Sequence, residues 1–269
     1  MFIFNSLKCG YNEDTEYDPS LDSLRFTGEY HIRNVKQLTF GGNNAEAYWS
    51  FDDKKLVFQS EWNKINSQGC DQIFTMNSNG SIQSGELKYR LVSTGKGKTT
   101  CSFFLPDGRI IYASTHGGDP DCPENITFKD GKYVWPLYDT YEIYITNQDG
   151  NNSEILIGGE GYDAEATVSP DGRYIIYTSI RTGDLELWRY EIETGEDLQI
   201  TNELGYDGGA FFSRDSEKLV WRASRPKGEE AELYKELLKN DLVEPKALNI
   251  FASDINGKKC KTNNRLTRG

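Results

Sequence analysis

The chain has 269 residues, 36% of them hydrophobic and 13% aromatic, enough apolar material for one substantial folded unit. Its 42 acidic and 30 basic residues leave a net charge of −12, which argues against nucleic acid as partner, because a phosphate backbone needs a basic footprint. No apolar run is long enough for a membrane-spanning helix.

Residues 1–34 read as a flexible leader. Met1-Phe2-Ile3-Phe4 is too short for the apolar region of a signal peptide, and no basic region precedes it. Leu7-Lys8-Cys9-Gly10, followed by an acidic stretch, leaves two readings open: a lipid-anchored start, against which Lys8 counts, and a plain disordered leader. Residues 35–40, Val35-Lys36-Gln37-Leu38-Thr39-Phe40, predict a lone outer strand.

From residue 46 one pattern repeats. Ser50-Phe51-Asp52-Asp53, Leu105-Pro106-Asp107-Gly108, Ser169-Pro170-Asp171-Gly172 and Ser213-Arg214-Asp215-Ser216 each separate two short apolar runs, the mark of stacked supersecondary units. In the third unit a short strand ends at Val168 and the Pro-Asp-Gly turn follows. Arg173-Tyr174-Ile175-Ile176-Tyr177-Thr178 then makes a β-branched and aromatic strand. Leu185-Glu186-Leu187-Trp188-Arg189-Tyr190 alternates with period two, and Asp197-Leu198-Gln199-Ile200-Thr201 closes the unit. Four strands per unit is a propeller blade. The others align on this frame, giving blades at 46–93, 99–157, 164–201 and 209–267. The last strand is weak, since residues 261–267 hold one leucine. The fold class is therefore all-β, a β-propeller within 35–269, with loop insertions that include one short helix.

Gln37-Leu38-Thr39, Gln199-Ile200-Thr201, Ala166-Thr167-Val168-Ser169-Pro170-Asp171-Gly172 and Ile143-Tyr144-Ile145 with Asp149-Gly150 resemble the repeats of the TolB-type β-propeller family. The resemblance covers roughly residues 35–257. It implies a periplasmic repeat protein with six blades in the ring, four of them present here. It also implies an open edge on the fourth blade that invites self-association.

Catalytic motifs are weak. Thr94-Gly95-Lys96-Gly97-Lys98-Thr99 imitates a phosphate loop, but Val92 stands where its first glycine belongs and no helix follows, so it reads as a connection between blades. His31 and His116 are the two histidines, and no Gly-x-Ser-x-Gly elbow exists, so no catalytic residue is assigned.

Binding candidates gather on one face. Because strands alternate in direction, the loop entering an innermost strand and the loop between second and third strands lie together. Cys70, Cys101, His116 and Cys122 all fall in such places. Three readings compete: a disulfide between two of Cys70, Cys101 and Cys122, unpaired thiols, and a metal site of Cys101, His116 and Cys122. Glu46, Asp163, Glu165 and Asp207 lie at equivalent places in or just before innermost strands. They either lock blade to blade or form an acidic ring for Ca²⁺ or a basic side chain.

Two insertions open on the same face. Residues 116–140 carry an aromatic cluster with Trp135 and Tyr138. Residues 225–246 contain helical spacing over 229–240 through Ala231, Tyr234, Leu237 and Leu238. The expectation is a non-catalytic, extracytoplasmic propeller that binds a protein, peptide or small ligand, with a basic partner favoured. The alternative is a propeller associated with an enzyme, as a peptidase gating domain or a metal-dependent sugar-active domain. Apart from Ca²⁺ at the acidic ring, no cofactor is expected.

Overall fold

Each apolar run pairs with its neighbour in sequence, because the Asp- and Gly-containing turns between them reverse the chain within a few residues. The computed structural model describes residues 2–3, 24, 26, 28–29, 31–32, 35–82, 88–124, 126–258 and 260–262. Four antiparallel four-stranded meanders result. Blade one is Asn44–Trp49, Lys55–Ser60, Gln72–Asn77 and Arg90–Leu91. Blade two is Thr99–Phe104, Ile110–Ser114, Glu142–Thr146 and Glu154–Ile157. Blade three is Asp163–Val168, Tyr174–Ser179, Glu186–Glu191 and Asp197–Gln199. Blade four is Asp207–Phe212, Lys218–Ala223, Asn249–Asp254 and Lys261–Thr262.

The turns share one lock. Ser50, Ser169 and Ser213 each donate through Oγ to the Asp two residues on, and accept the backbone N–H five residues on, that of Lys55, Tyr174 or Lys218. The second unit has Leu105 in the serine place, and there Asp107 pairs with Arg109 at 2.8 Å. The second strands of blades two and three are buried on both faces because each is sandwiched between blades. Ile110 packs toward blade one and Ile111 toward blade three, while Ile175 and Ile176 face blades two and four. All four are fully buried, each contributing about 1.5–3 kcal/mol. Blade four buries Leu219, Trp221 and Ala223 against blade three, and leaves Phe211, Val220 and Ile250 on its other face 37–42% exposed.

The lone outer strand at 35–40 comes out differently. It shortens to Lys36–Gln37 and pairs with Phe2–Ile3, outside any blade, while Leu38 packs on Leu56, Phe58, Phe74 and Met76 of blade one. Gln37 Nε2 bonds the carbonyl of Thr39 at 2.8 Å, as Gln199 Nε2 bonds that of Thr201 at the end of blade three's outer strand, so the two segments share a local conformation though only one pairs within a blade. Most of the predicted leader, including Cys9, and residues 263–267 of the last strand lie outside the described residues.

The two insertions join. Trp135–Pro136 pairs antiparallel with Leu242–Val243, and Leu137 N–H donates to the carbonyl of Asp241 at 2.7 Å. The helix, Glu229–Leu238, buries Ala231, Tyr234 and Leu237; Leu237 and Leu242 cover the fully buried Val134. It stops short of residue 240 because Asn240 turns its amide back onto the carbonyl of Glu236 at 2.7 Å and Asp241 takes a left-handed φ of 55°. Tyr234 donates its hydroxyl to Asp184, fastening the helix to a loop of blade three. The result is a cap running from blade two across blade three to blade four.

Candidate functional site

Every innermost strand carries a bulge at the same place. The register slips between Ala45 and Tyr48, Thr100 and Phe103, Ala164 and Thr167, and Gly208 and Phe211. One residue in each slip has a left-handed backbone: Glu46 (φ 50°), Cys101 (47°), Glu165 (57°) and Gly209 (59°). Three of these carry a Cβ in a conformation that costs about 1–3 kcal/mol, a strain that clusters at functional places. The four positions border a cavity of about 290 Å³, together with Tyr48, Phe211 and Arg222.

Its chemistry follows from these neighbours. Tyr48 donates to Glu46 at 2.7 Å, and its ring lies 5.1 Å from Phe103 and 5.8 Å from Phe211, so aromatic side chains of blades one and four meet across the cavity. Tyr206 donates to Glu165 at 2.7 Å and accepts from Arg222 Nε at 3.3 Å, while Arg222 Nη2 lies 3.6 Å from Glu165. Trp135 reaches from the cap onto this group, 5.9 Å from the Tyr206 ring and 5.0 Å from the Arg222 guanidinium. Burial pushes the Glu165 carboxyl up, against the pull of Arg222 and the Tyr206 hydrogen bond. Burial, then the charges of Glu46 and Glu165, push the Cys101 thiol well above its ordinary range, so it stays protonated and a poor nucleophile. Two carboxylates, one guanidinium and the Tyr48 and Tyr206 hydroxyls thus border or flank one cavity.

Asp163 and Asp207 are not equivalent to Glu46 and Glu165. They sit two residues earlier, level with Asn44 and Thr99, opposite Ser179 and Ala223. Both are buried. Arg181 bridges Asp163 at 3.2 Å and Asp197 at 2.9 Å. Asp207 accepts two bonds from Arg225, at 2.8 and 2.9 Å, and one from Trp221 Nε1 at 2.6 Å. Each aspartate and its arginine are 18 residues apart, a repeat visible in the sequence once sought. Burial raises Asp207 to about 6 against the opposing pull of Arg225.

Tyr138 donates to the carbonyl of Glu124 at 2.7 Å and packs on Tyr141. Cys70 and Cys122 form a disulfide with Cα atoms 5.7 Å apart, which ties the blade-two insertion to blade one, and Cys101 is free. His116 bonds Ser114 at 2.8 Å and stacks on Tyr144; burial, then Lys96, lowers its pKa. Among the described residues no three His, Cys, Asp or Glu side chains gather as a metal site. Arg222, Tyr48, Tyr206 and Phe211 escaped sequence reasoning. Aligning Asn44-Ala45-Glu46, Thr99-Thr100-Cys101, Asp163-Ala164-Glu165 and Asp207-Gly208-Gly209 exposes the quartet and the missing side chain that Arg222 replaces.

No family model matches the chain. Tol-Pal system protein TolB of Francisella tularensis is 30% identical over 95 residues, 35% of this chain and 22% of that protein. The TolB of Anaeromyxobacter dehalogenans is 22% identical over 171 residues, 61% of this chain and 39% of the relative. The chain thus spans well under half the length of the curated relatives it matches. Among solved structures, TolB from Acinetobacter baumannii superposes with a TM-score of 0.58 at 19% identity, covering 85% of this chain and 45% of that one. A puromycin-hydrolyzing peptidase of Mycobacterium tuberculosis gives 0.54 at 14%, covering 85% and 30%. Among the described residues no helix is long and apolar enough to cross a membrane. Four meandering blades make the chain a β-propeller arrangement, similar in fold and in part of its sequence to TolB.

Proposed function

We propose that this propeller is a non-catalytic, extracytoplasmic binding module that receives a protein or peptide on its capped face, with a basic side chain entering the central cavity. The observation that carries this reading is Glu46. Its carboxylate borders the cavity, is bonded by Tyr48, and is ion-paired with no lysine or arginine among the described residues. The disulfide supports an oxidising compartment. Ca²⁺ is the competing occupant of the same carboxylates. Phe211, Val220 and Ile250 of blade four, partly exposed, also wall this cavity, so self-association through them, which sedimentation reads directly, competes with the ligand.

Calorimetric titration of the full chain with a lysine-containing and an arginine-containing peptide, and with CaCl₂, tests the reading. Peptide binding that weakens at least tenfold in Glu46→Gln and falls with salt supports it. Absence of peptide heat overturns it. The fold likeness to the puromycin-hydrolyzing peptidase favours, second, a propeller that gates an enzyme. That reading expects aminoacyl-anilide hydrolysis where this propeller is joined to a hydrolase domain.

A further inference from the structure

Of the four bulge positions, three carry side chains and the fourth, Gly209, carries none. A Cβ built there would lie 2.9 Å from Arg222 Nε and 3.3 Å from Cζ. The guanidinium therefore occupies the volume that a fourth side chain would need. Arg222 arrives from the second strand of blade four, where it stands opposite Gly208, next to the slip in register. Three contacts keep it there: Glu165 at 3.6 Å, the Tyr206 hydroxyl at 3.3 Å, and the Trp135 ring at 5.0 Å.

We infer that Arg222 is the specificity-determining residue of the cavity: a resident cation that neutralises Glu165, leaves Glu46 as the one free carboxylate, and so selects an organic monocation over a diamine or a divalent metal. This rests on the proposal that the cavity binds a cation. The charges count directly: two carboxylates, one guanidinium and one neutral thiol leave a single negative charge. Ca²⁺ takes six to eight oxygen ligands with several anionic among them, which one free carboxylate does not supply. The walls suit an alkyl stem, because Phe211, Val220 and Ile250 give the cavity an apolar side next to Glu46 and Tyr48. A primary ammonium on a short aliphatic chain, as lysine presents, matches both features.

Calorimetry on the full chain with n-butylammonium, 1,4-diaminobutane and CaCl₂ tests this. Wild type is expected to bind the two amines within about threefold of each other and to give no heat with CaCl₂. Arg222→Gln leaves Glu165 without its cation, and the diamine, whose second ammonium can take the place of the guanidinium, is then expected to gain at least tenfold over the monoamine, while Arg222→Lys keeps the wild-type ratio. A diamine already tenfold tighter in wild type overturns the inference without any variant. An unchanged ratio in a folded Arg222→Gln also overturns it, and leaves cation binding itself intact. No heat from either amine in wild type or variant overturns both readings together.

Discussion

Trp135 stands opposite Val243 in the short ladder that joins the two insertions, so one residue both closes the cap and lays its ring on Arg222 and Tyr206. Cavity wall and cap are thereby a single packed unit. Loosening the cap at a distance should disturb the cavity. Leu242→Ala, which uncovers Val134 and Leu237, is expected to cost about 2–3 kcal/mol. Limited proteolysis of the insertions should quicken while the far-ultraviolet dichroism of the blades stays unchanged.

The Cys70–Cys122 bond joins residues 52 apart in sequence, and loop closure of that size stabilises the folded chain by about 4 kcal/mol. Cys70→Ser with Cys122→Ser should lower the denaturant midpoint accordingly. Reductant should reproduce the loss in wild type and do nothing further to the double variant.

Ser169 is fully buried and makes two hydrogen bonds in its turn. Ser169→Ala leaves the Tyr174 N–H without its side-chain acceptor, and about 1–2 kcal/mol should be lost. That corresponds to roughly 2–4 °C in melting temperature. Ser213→Ala, in a more exposed copy of the turn, should cost less.

Glu186 carries a pH signature. It is buried, its Oε2 has no hydrogen-bond partner, and burial raises its carboxyl to about 8, with Asp207 and Asp184 adding to the rise and Thr201 and Arg225 opposing it. The folded chain therefore holds this proton more tightly than the unfolded chain. Its contribution to stability is fully present below the ordinary carboxylate range and is lost as pH rises through about 8. Asp207, raised to about 6, acts in the same direction. Melting temperatures between pH 5 and 9 should fall with pH, and Glu186→Gln should flatten the slope and raise the value at pH 9.

The blades were legible because each strand depends on its own alternation and each reversal on a local turn. Ile175 and Ile176 announce a strand with two apolar faces wherever they sit. The helix over 229–238 was legible for the same reason. The cap was not: Trp135-Pro136 and Leu242-Val243 are two residues each, and nothing local says that they will meet. Residue type and position single out Glu46 and Glu165, and the structure places both at the cavity. Asp163 and Asp207 were grouped with them because sequence shows proximity to a strand start but not the bulge that turns one side chain inward and leaves the other in the ladder. Arg222 was hidden because its role depends on an absence, the missing side chain of Gly209.

The partnership of blade two with blade four also sets a schedule for synthesis. When Val134 and Trp135 leave the ribosome, the strand that will cover them has yet to be made. At roughly 5–20 residues per second, they wait about 5–20 s for residues 242–243. During that interval blades one to three can assemble by nearest-neighbour pairing, with an apolar flap standing open on one face. Until then this flap offers chaperones, and other copies of the chain, an apolar surface.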